Sequence, residues 1–455
     1  MTGERGREGG RPPSLEWKGL WDRLGRIAGK AAIERNPPAD AGAPPARVRV
    51  TPAGAEQLAA CLRAAAAAGA MVTPSGGGTQ QRIGHAPATA GVALSTVRLD
   101  AIVEWEPADL TACIQAGATL DSVNAALAEH GQQLPIDAPA SDRTTLGGLI
   151  ATSTCGPRRW IYGGWRDQII GMQMALPSGA LVKSGGRVVK NVQGYDLAKL
   201  FIGSLGTLGV ITQVNVKLTP LPPFRRLFVA RGSLEQAGDF LAQVAESTLR
   251  VSTLDLLDGP AARRVGLDGA ACAALVLLEG TQTAVAGQTQ RLAQVAAAAS
   301  LRIDTIERTD TLEGDVVDGV WREWLALARI DDLADGEALL TVSTSPTEAV
   351  RAVRTLSDVG DMHGAAVACW ARAGNGVVYG RIAAPPERAA HAIAAVQAQL
   401  MQEWPATTVA SGAPAVQRAL QPWGKPPATI DLMRALKQRF DPNRTLQAGR
   451  YVGGI

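Results

Sequence analysis

The chain has 455 residues, of which 46% are hydrophobic and 19% are charged. Two or three domains are expected at this length, because single hydrophobic cores stop growing beyond roughly 250–300 residues. The 45 basic and 42 acidic side chains leave a net charge of +3, which gives no electrostatic footprint for nucleic acid. The most apolar stretch, residues 58–70, is interrupted by Arg63 and is shorter than the roughly 20 residues that a membrane-spanning helix needs.

Five cysteines are spread along the chain, at positions 61, 113, 155, 272 and 369. Their odd number and the absence of CxxC pairs argue against a disulfide framework, a zinc site and an iron–sulfur cluster. The N-terminal residues lack the apolar segment and the cleavage site of a secretory signal. We therefore expect reduced thiols, no metal site and a cytoplasmic location.

Residues 1–45 are predicted to be a flexible extension that carries an amphipathic helix over 16–30. The flanking segments are rich in Gly, Pro and Ala, which is typical of linkers. Within the helix, Trp17, Leu20, Trp21, Leu24 and Ile27 recur at helical spacing. Three roles remain open for it, which are packing on its own protein, docking to a partner, and contact with a membrane surface through its basic face.

The remaining sequence predicts two domains and a tail. Residues 46–223 contain short strands, helices and three glycine-rich segments, and they close with the alternating strand "VITQVNVKL" before a proline-rich break. In residues 224–428 strands alternate with helices, which predicts a second α+β domain. Residues 429–455 are predicted to form a final helix and an irregular tail.

Two of the glycine-rich segments indicate a ligand. In "PSGGGTQ" (74–80) successive backbone N–H groups can form an anion-binding nest, and an ordinary tight turn is the alternative for this loop taken alone. Its spacing matches neither GxGxxG nor GxxxxGK[ST], so a Rossmann site and a P-loop are excluded. The small and hydroxyl residues of 138–157 suit either a flat ligand or a crowded strand–helix contact. Two such loops in one domain favour a cofactor that carries a diphosphate.

The third segment, "YGGWRDQIIGMQMALPSGALVKSGGRVVKNVQGYDLAKLFIGSLGTLGVIT" (162–212), makes the sequence recognisable. Together with "TPSGGGT" and "TTLGGLIAT" it resembles the FAD-binding domain of the vanillyl-alcohol oxidase / p-cresol methylhydroxylase (PCMH) superfamily. "PRRWIYGGWRDQIIG" and "GGRVVKNVQGYDLAKL" narrow the resemblance to the E-type FAD-binding subunits of bacterial glycolate oxidases. The resemblance is strong over 48–220, weaker over the second domain, and returns in "RFDPNRTLQAGRYVGGI", where Gln447 and Ala448 replace the family's Asn-Pro.

The resemblance implies an α+β fold with a PCMH-type FAD-binding domain of two α+β subdomains at 46–223. A smaller α+β, ferredoxin-like cap domain follows at 224–428, and 429–455 pack back on the first domain. FAD is the implied cofactor, and it is expected to be non-covalent because the first loop has no histidine. The implied FAD-binding residues are Pro74, Ser75, Gly76, Gly77, Gly78, Thr79 and Gln80 around the diphosphate, Pro139, Thr144, Thr145, Gly147, Gly148, Thr152, Thr154, Gly156 and Tyr162 in the flavin segments, and Gly209, Val210 and Ile211 near the adenine or ribose. Cys155, beside the flavin segment, is read either as a candidate thiol or as a small buried cysteine.

Oxidation of an α-hydroxy acid needs a base for the hydroxyl proton and cations for the carboxylate. Related D-2-hydroxy-acid dehydrogenases carry the pattern His-x-Gly-Asp-Gly-Asn-x-His, and the similar stretch here is "RAGNGVVY" (372–379). Arg372 and Tyr379 replace the two histidines. Arg372 is the candidate carboxylate ligand, and Tyr379 or Lys190 the candidate for proton transfer. The alternatives are a solvated hairpin edge for Arg372 and Tyr379, and a structural turn for Lys190.

Three functions are compatible with this pattern. The first is the FAD-binding subunit of a glycolate oxidase complex, which oxidises glycolate or a related D-2-hydroxy acid beside a catalytic flavoprotein subunit and an iron–sulfur subunit, and which contacts the inner face of the membrane through them. The second is a stand-alone FAD-dependent D-2-hydroxy-acid dehydrogenase. The third is a FAD-binding structural subunit without turnover. The missing histidine pattern and the lack of cluster cysteines favour the first.

Overall fold

The computed structural model describes residues 17–38, 45–85, 91–186, 195–269, 271–299, 302–307 and 316–455. The chain begins with a four-stranded layer. Its elements are α1 (Trp17–Ala28), β1 (Ile33–Arg35), β2 (Val48–Val50), α2 (Ala55–Ala67), β3 (Val72–Ser75) and β4 (Val92–Ser95). The strand order is β1-β2-β4-β3, with β4 parallel to both of its neighbours.

Helix α1 packs against this layer. Leu20 and Leu24 on α1 are buried in one cluster with Leu58 and Leu62 of α2. The Arg35 guanidinium lies 4.7 Å from the centre of the Trp21 ring. The apolar face of the predicted amphipathic helix therefore covers its own protein, the first of its three open roles.

An antiparallel five-stranded sheet forms the second layer. The elements of this segment are β5 (Ile102–Glu106), β6 (Thr111–Gln115), α3 (Leu120–Ala128), β7 (Gln132–Gln133), α4 (Leu146–Thr152), α5 (Arg159–Tyr162), α6 (Trp165–Gln168), β8 (Ile169–Ala175), β9 (Leu181–Gly185), α7 (Ala198–Phe201), β10 (Val210–Lys217) and β11 (Thr219–Pro220). The order is β5-β6-β10-β8-β9, while β7 pairs with β11. The predicted alternating strand is the central strand β10. It alternates as expected from Val214, which is buried, to Lys217, which is half-buried.

The C-terminal part contains one eight-stranded antiparallel sheet. Its elements are β12 (Phe224–Gly232), α8 (Leu234–Glu246), β13 (Asp255–Asp258), α9 (Gly259–Arg264), β14 (Cys272–Gly280), α10 (Gln282–Ala298), β15 (Arg302–Glu307), α11 (Val316–Ala326), β16 (Glu337–Ser343), α12 (Ala349–Met362), β17 (Ala366–Arg372), β18 (Val377–Ala383), α13 (Pro386–Glu403), β19 (Thr408–Gly412), α14 (Pro414–Ala419) and α15 (Ile430–Phe440). Short 3-10 turns cover Lys30–Ala32, Pro346–Glu348, Ala373–Asn375 and Val452–Gly454. The strand order is β15-β12-β14-β13-β17-β18-β16-β19.

This order is that of two ferredoxin-like βαββαβ units joined edge to edge. The first unit runs from β12 to β15 and the second from β16 to β19, and pairing of β13 with β17 joins them. The predicted ferredoxin-like cap is therefore present as two copies. Helices α8, α10, α12 and α13 cover one face of the sheet. The opposite face packs on α9 and α11 and contacts Ile83 of the first part of the chain.

The chain then returns to its first part, where Phe440 at the end of α15 packs edge-on against Phe201, with ring centres 5.6 Å apart. Beyond α15 the tail runs beside β3, because the Val72 N–H donates to the Thr445 carbonyl (2.7 Å) and the Gln447 N–H donates to the Val72 carbonyl (3.1 Å). In the described ranges no helix has the length and apolar character needed to cross a membrane.

Candidate functional site

A narrow cleft, called here the glycine cleft, lies where β3, α4 and β10 meet. The three predicted glycine-rich segments converge on it. Its lining residues are Pro74, Ser75, Gly76, Gln80, Gln81, Thr96, Gly147, Gly148, Ala151, Thr152, Leu205, Gly206, Gly209, Val210, Ile211, Gln447 and Arg450. Ten of the residues predicted to bind a cofactor are among them.

Two glycines of the 74–80 loop are required by close packing. A Cβ on Gly76 would lie 2.0 Å from the Thr145 hydroxyl, and one on Gly77 would lie 1.8 Å from the Arg143 carbonyl. Both distances are far below van der Waals contact, so any side chain at these positions would push the 74–80 loop away from the 143–148 loop. The glycines thus let two loops form one wall of the cleft.

Hydroxyl groups hold the same two loops together from behind. The Thr79 and Thr144 hydroxyl oxygens are 3.0 Å apart and hydrogen-bonded, and both threonines are buried. The Thr145 hydroxyl accepts a hydrogen bond from the Gly148 N–H and caps α4. Five predicted cofactor residues, Gly77, Gly78, Thr79, Thr144 and Thr145, therefore stand behind the cleft and do not line it.

A second cavity of about 380 Å³ adjoins the glycine cleft and shares Gln80, Thr152 and Leu205 with it. It lies between the glycine-rich loops and the C-terminal sheet, and we call it the Arg372 cavity. Its other lining residues are Ile83, Pro139, Ser153, Thr154, Cys155, Gly156, Arg159, Gly203, Leu325, Ala328, Ile330, Leu339, Thr341, Arg372, Tyr379, Thr408, Ala410, Trp423 and Tyr451. The predicted residues Pro139, Thr152, Thr154, Gly156, Arg372 and Tyr379 meet here.

Arg372 ends β17 and is only 6% exposed. Its Nη1 lies 3.4 Å from Asp255 Oδ2 on the neighbouring strand β13, while its Nε has no hydrogen-bond partner among the described residues. Its guanidinium carbon is 5.5 Å from the centre of the Tyr379 ring, and that half-buried ring stacks on Trp370 at 5.2 Å. The solvated-edge alternative is therefore wrong, because the hairpin faces the first part of the chain.

Burial controls the ionisation of the group behind Arg372. Desolvation raises the pKa of Asp255 to about 7, although the Arg372 charge and a hydrogen bond from Trp324 Nε1 oppose the increase. Burial also raises the pKa of the Cys155 thiol. This thiol lines the cavity in its neutral form and lacks the depressed pKa of a reactive cysteine.

Two predicted residues lie elsewhere. Tyr162 is outside both cavities, and its hydroxyl donates to Glu279 Oε2 (3.1 Å) on β14, which ties the two parts of the chain together. Lys190 lies outside the described residues. Within the described residues, no three His, Cys, Asp or Glu side chains are grouped so that they could hold a metal ion.

Sequence reasoning missed the contribution of the C-terminal tail to the glycine cleft. Arg450 is 3% exposed and donates hydrogen bonds to the carbonyls of Gln80, Gln81 and Ile83. The buried Gln447 Oε1 has no partner among the described residues. The similarity of "RFDPNRTLQAGRYVGGI" to a family's closing segment could have indicated a role for the tail. No local sequence pattern, however, predicts its contact with a loop 370 residues away.

These features fit a dinucleotide cofactor. The cleft combines a glycine loop with small residues, a buried cation and a buried unpartnered amide oxygen. Backbone N–H groups and a guanidinium suit a diphosphate, and small residues permit close approach of a flat ring system.

Family models cover most of the chain. Residues 46–185 match the model described as "FAD binding domain", and residues 223–451, about half of the chain, match "FAD linked oxidases, C-terminal domain". The chain belongs to the FAD-linked oxidases. FAD is accordingly the cofactor of this FAD-linked oxidase, and its fold is the PCMH type.

Individual relatives agree with this family. The chain is 26% identical over 422 residues to the glycolate oxidase subunit GlcD of Bacillus subtilis (strain 168), and the aligned region covers 88% of each chain. It is 36% identical over 189 residues to the glycolate oxidase subunit GlcE of Escherichia coli (strain K12). That aligned region covers 41% of this FAD-linked oxidase and 53% of that subunit. Among solved structures, p-cresol methylhydroxylase with substrate bound superposes with a TM-score of 0.72 at 17% identity and covers 96% of both chains. That similarity establishes the fold alone.

Proposed function

We propose that this FAD-linked oxidase is the FAD-binding subunit of a glycolate oxidase-type complex, in which Arg372 binds the carboxylate of a 2-hydroxy acid. The observation that carries the proposal is a buried guanidinium at the wall of a cavity that adjoins the glycine cleft, with an Nε that has no partner among the described residues. A buried donor without a partner is costly, and a carboxylate is the acceptor that a guanidinium prefers. Two relatives are named as glycolate oxidase subunits, which supports the substrate class.

The proposed FAD contacts are the predicted residues of the glycine cleft. These are Pro74, Ser75, Gly76, Gln80, Gly147, Gly148, Thr152, Gly209, Val210 and Ile211. Gly77, Gly78, Thr79, Thr144 and Thr145 support them from behind. Pro139, Thr154 and Gly156, which line the Arg372 cavity, are proposed for the flavin end.

Each charged or polar group at the cavity has a distinct proposed task. Arg372, assisted by the more exposed Arg159, holds the substrate carboxylate and so orients the α-carbon. Tyr379 is proposed to hydrogen-bond the substrate hydroxyl and to assist transfer of its proton, and Lys190 remains a second proposal for that task. Bound FAD supplies the two-electron acceptor for the oxidation. The apolar wall formed by Leu325, Ile330 and Leu339 excludes water.

The composition of the cavity also favours dependence on partners. Among the described residues that line it there is no histidine. His130 instead packs against Trp105, and His363 is hydrogen-bonded to Gln399. A site that lacks the commonest general base favours a subunit that works with a catalytic flavoprotein subunit and an iron–sulfur subunit. The same observation supports the second candidate, a FAD-binding subunit without turnover of its own.

Flavin reduction distinguishes the candidates. Glycolate or D-lactate is added without oxygen to the FAD-loaded chain, alone and together with its partner subunits, and bleaching of the flavin absorbance is followed. We expect bleaching of this subunit's flavin only in the assembled complex. Bleaching of the isolated chain would make it a stand-alone dehydrogenase. A flavin that stays oxidised in the complex would leave only the structural role.

Substrate affinity should decrease as the pH rises through the pKa of Asp255, about 7. Below that pH the carboxyl is neutral, so Arg372 keeps its whole charge for an incoming carboxylate. Above it the ionised Asp255 pairs with Arg372 and competes for it. We expect an affinity loss of about 5-fold, equivalent to roughly 1 kcal/mol.

The measurement is the dissociation constant of a carboxylate ligand that the enzyme cannot oxidise. It is read from the change that this ligand causes in the flavin spectrum between about pH 5.5 and 8.5. Asp137 and the Trp324 N–H also act on Asp255, so both are kept unchanged. The Asp255→Asn variant should show no step near pH 7. A step that persists in that variant would assign the titration to another group.

A further inference from the structure

The tail places a buried positive charge at the glycine cleft, where the described residues provide no counter-ion. All four acceptors of the Arg450 guanidinium are neutral, namely the carbonyls of Gln80 (3.1 Å), Gln81 (2.8 Å) and Ile83 (2.8 Å) and the Gln81 side-chain oxygen (3.0 Å). No carboxylate of the described residues forms an ion pair with it. Desolvation lowers the pKa of Arg450 to about 10, with no neighbouring charge opposing it.

The other buried arginines of the described chain contrast with Arg450. Arg158 pairs with Asp137 (2.7 Å), Arg372 with Asp255 (3.4 Å) and Arg381 with Glu337 (2.8 Å). A buried ion without an opposite charge costs several kcal/mol, which is why such groups are normally paired. Arg450 is therefore suited to an anion that the described residues do not supply.

The surroundings of Arg450 define where that anion lies. The Arg450 carbonyl accepts hydrogen bonds from the His85 N–H and from Trp423 Nε1, both at 3.0 Å, so the tail is held on both sides. The arginine lines the same glycine cleft as Ser75 and Gly76 and is absent from the lining of the Arg372 cavity. The missing anion therefore belongs to the cofactor and not to the substrate.

We propose that Arg450 neutralises the diphosphate of FAD, and that residues 445–450 are part of the cofactor site. This inference rests on the proposed location of FAD in the glycine cleft. The guanidinium contacts the backbone at the end of the 74–80 loop, so the same side chain fixes the loop and supplies the charge. The loop donates neutral N–H groups, and the tail adds the full positive charge that two phosphate groups require.

Two variants of Arg450 distinguish the effect of its charge on FAD binding from its structural role in holding the 74–80 loop. FAD-depleted wild type, Arg450→Lys and Arg450→Gln are titrated with FAD, and the dissociation constant is read from the quenching of flavin fluorescence at several NaCl concentrations. We expect Arg450→Gln to bind FAD about 10- to 100-fold more weakly, the usual loss for a charged hydrogen bond. Its affinity should depend less on salt than that of the wild type. Arg450→Lys keeps the charge and should retain most of the affinity.

Arg82→Gln is the matched control. Arg82 lies in the adjoining turn and donates to the carbonyls of Ile330 and Leu333, but it lines neither cavity. FAD affinity should be unchanged in this variant. Equal loss in Arg450→Lys and Arg450→Gln with an unchanged salt dependence would make Arg450 a structural clamp only, and full affinity in both would overturn the proposal.

A competition experiment on the unmodified protein covers the case in which Arg450→Gln does not fold. ADP should displace FAD at far lower concentration than adenosine does, because only ADP carries the diphosphate. Equal competition by the two would overturn the proposal. A wild-type protein that binds no FAD would instead contradict the cofactor site itself, so the two failures are distinguishable.

Discussion

Glutamate at position 151 is expected to abolish FAD binding. Ala151 is half-buried on α4 and lines the glycine cleft. A carboxylate there occupies the cleft and faces a cofactor that carries negative charge. Like charges placed side by side in a binding site cost several kcal/mol, which corresponds to a loss of affinity of more than about 100-fold.

Ala151→Gln is the matched control, since it adds the same volume without the charge and both side chains favour helix. It should lose less affinity than Ala151→Glu. Bound flavin is measured by the visible absorbance of the purified proteins and by FAD titration, and thermal unfolding of the FAD-free proteins verifies the fold. Wild-type FAD affinity in Ala151→Glu would place the cofactor elsewhere.

Position 151 is a better test than the loop glycines. Any side chain at Gly77 would collide with the Arg143 carbonyl, so loss of FAD in a Gly77→Asp variant would report a displaced loop. Ala151 already carries a Cβ and faces the cleft, so that its substitution changes the ligand space and leaves the packing of the two loops intact.

Replacing Arg372 by methionine should lower kcat/KM of the assembled enzyme for a 2-hydroxy acid by about 30-fold or more, because truncation of a buried charged partner costs about 2–5 kcal/mol. Most of the FAD content should be retained, since the proposed diphosphate contacts lie in the glycine cleft, which Arg372 does not line. Burial raises the pKa of Asp255 and the Arg372 charge lowers it, so removal of that charge favours protonation of the carboxyl left behind, which limits the loss of stability.

Arg381→Met provides the control for this prediction. Arg381 is a buried arginine of the neighbouring strand β18, pairs with Glu337 and does not line the cavity. Steady-state kinetics with glycolate and D-lactate should show wild-type KM in this variant. If Arg372→Met also keeps wild-type KM and kcat, the carboxylate is bound by another group, and Arg159 becomes the next residue to replace.

Much of this architecture was predictable from local sequence. The alternating strand β10, the helices of the C-terminal part and the glycine-rich loops follow from periodicity and from residues that act within a few positions of one another. The doubling of the ferredoxin-like unit was not predicted, because strand order is set by pairing between segments that are distant in the chain. The burial of Arg372 was equally hidden, since a hairpin end can face solvent or a neighbouring domain.

By itself the sequence indicated a cofactor that carries a diphosphate, because glycine-rich loops are properties of short segments. The resemblance of three of its segments to a known family implied FAD and the PCMH-type fold. Only the tertiary structure decided which residues line the site. In the folded chain Thr79 and Thr144 lie behind the cleft, and Arg372 is buried against Asp255. Arg450 contacts a loop that lies 370 residues earlier in the chain. The physical reason is that burial and charge pairing depend on contacts between distant segments, which no local pattern encodes.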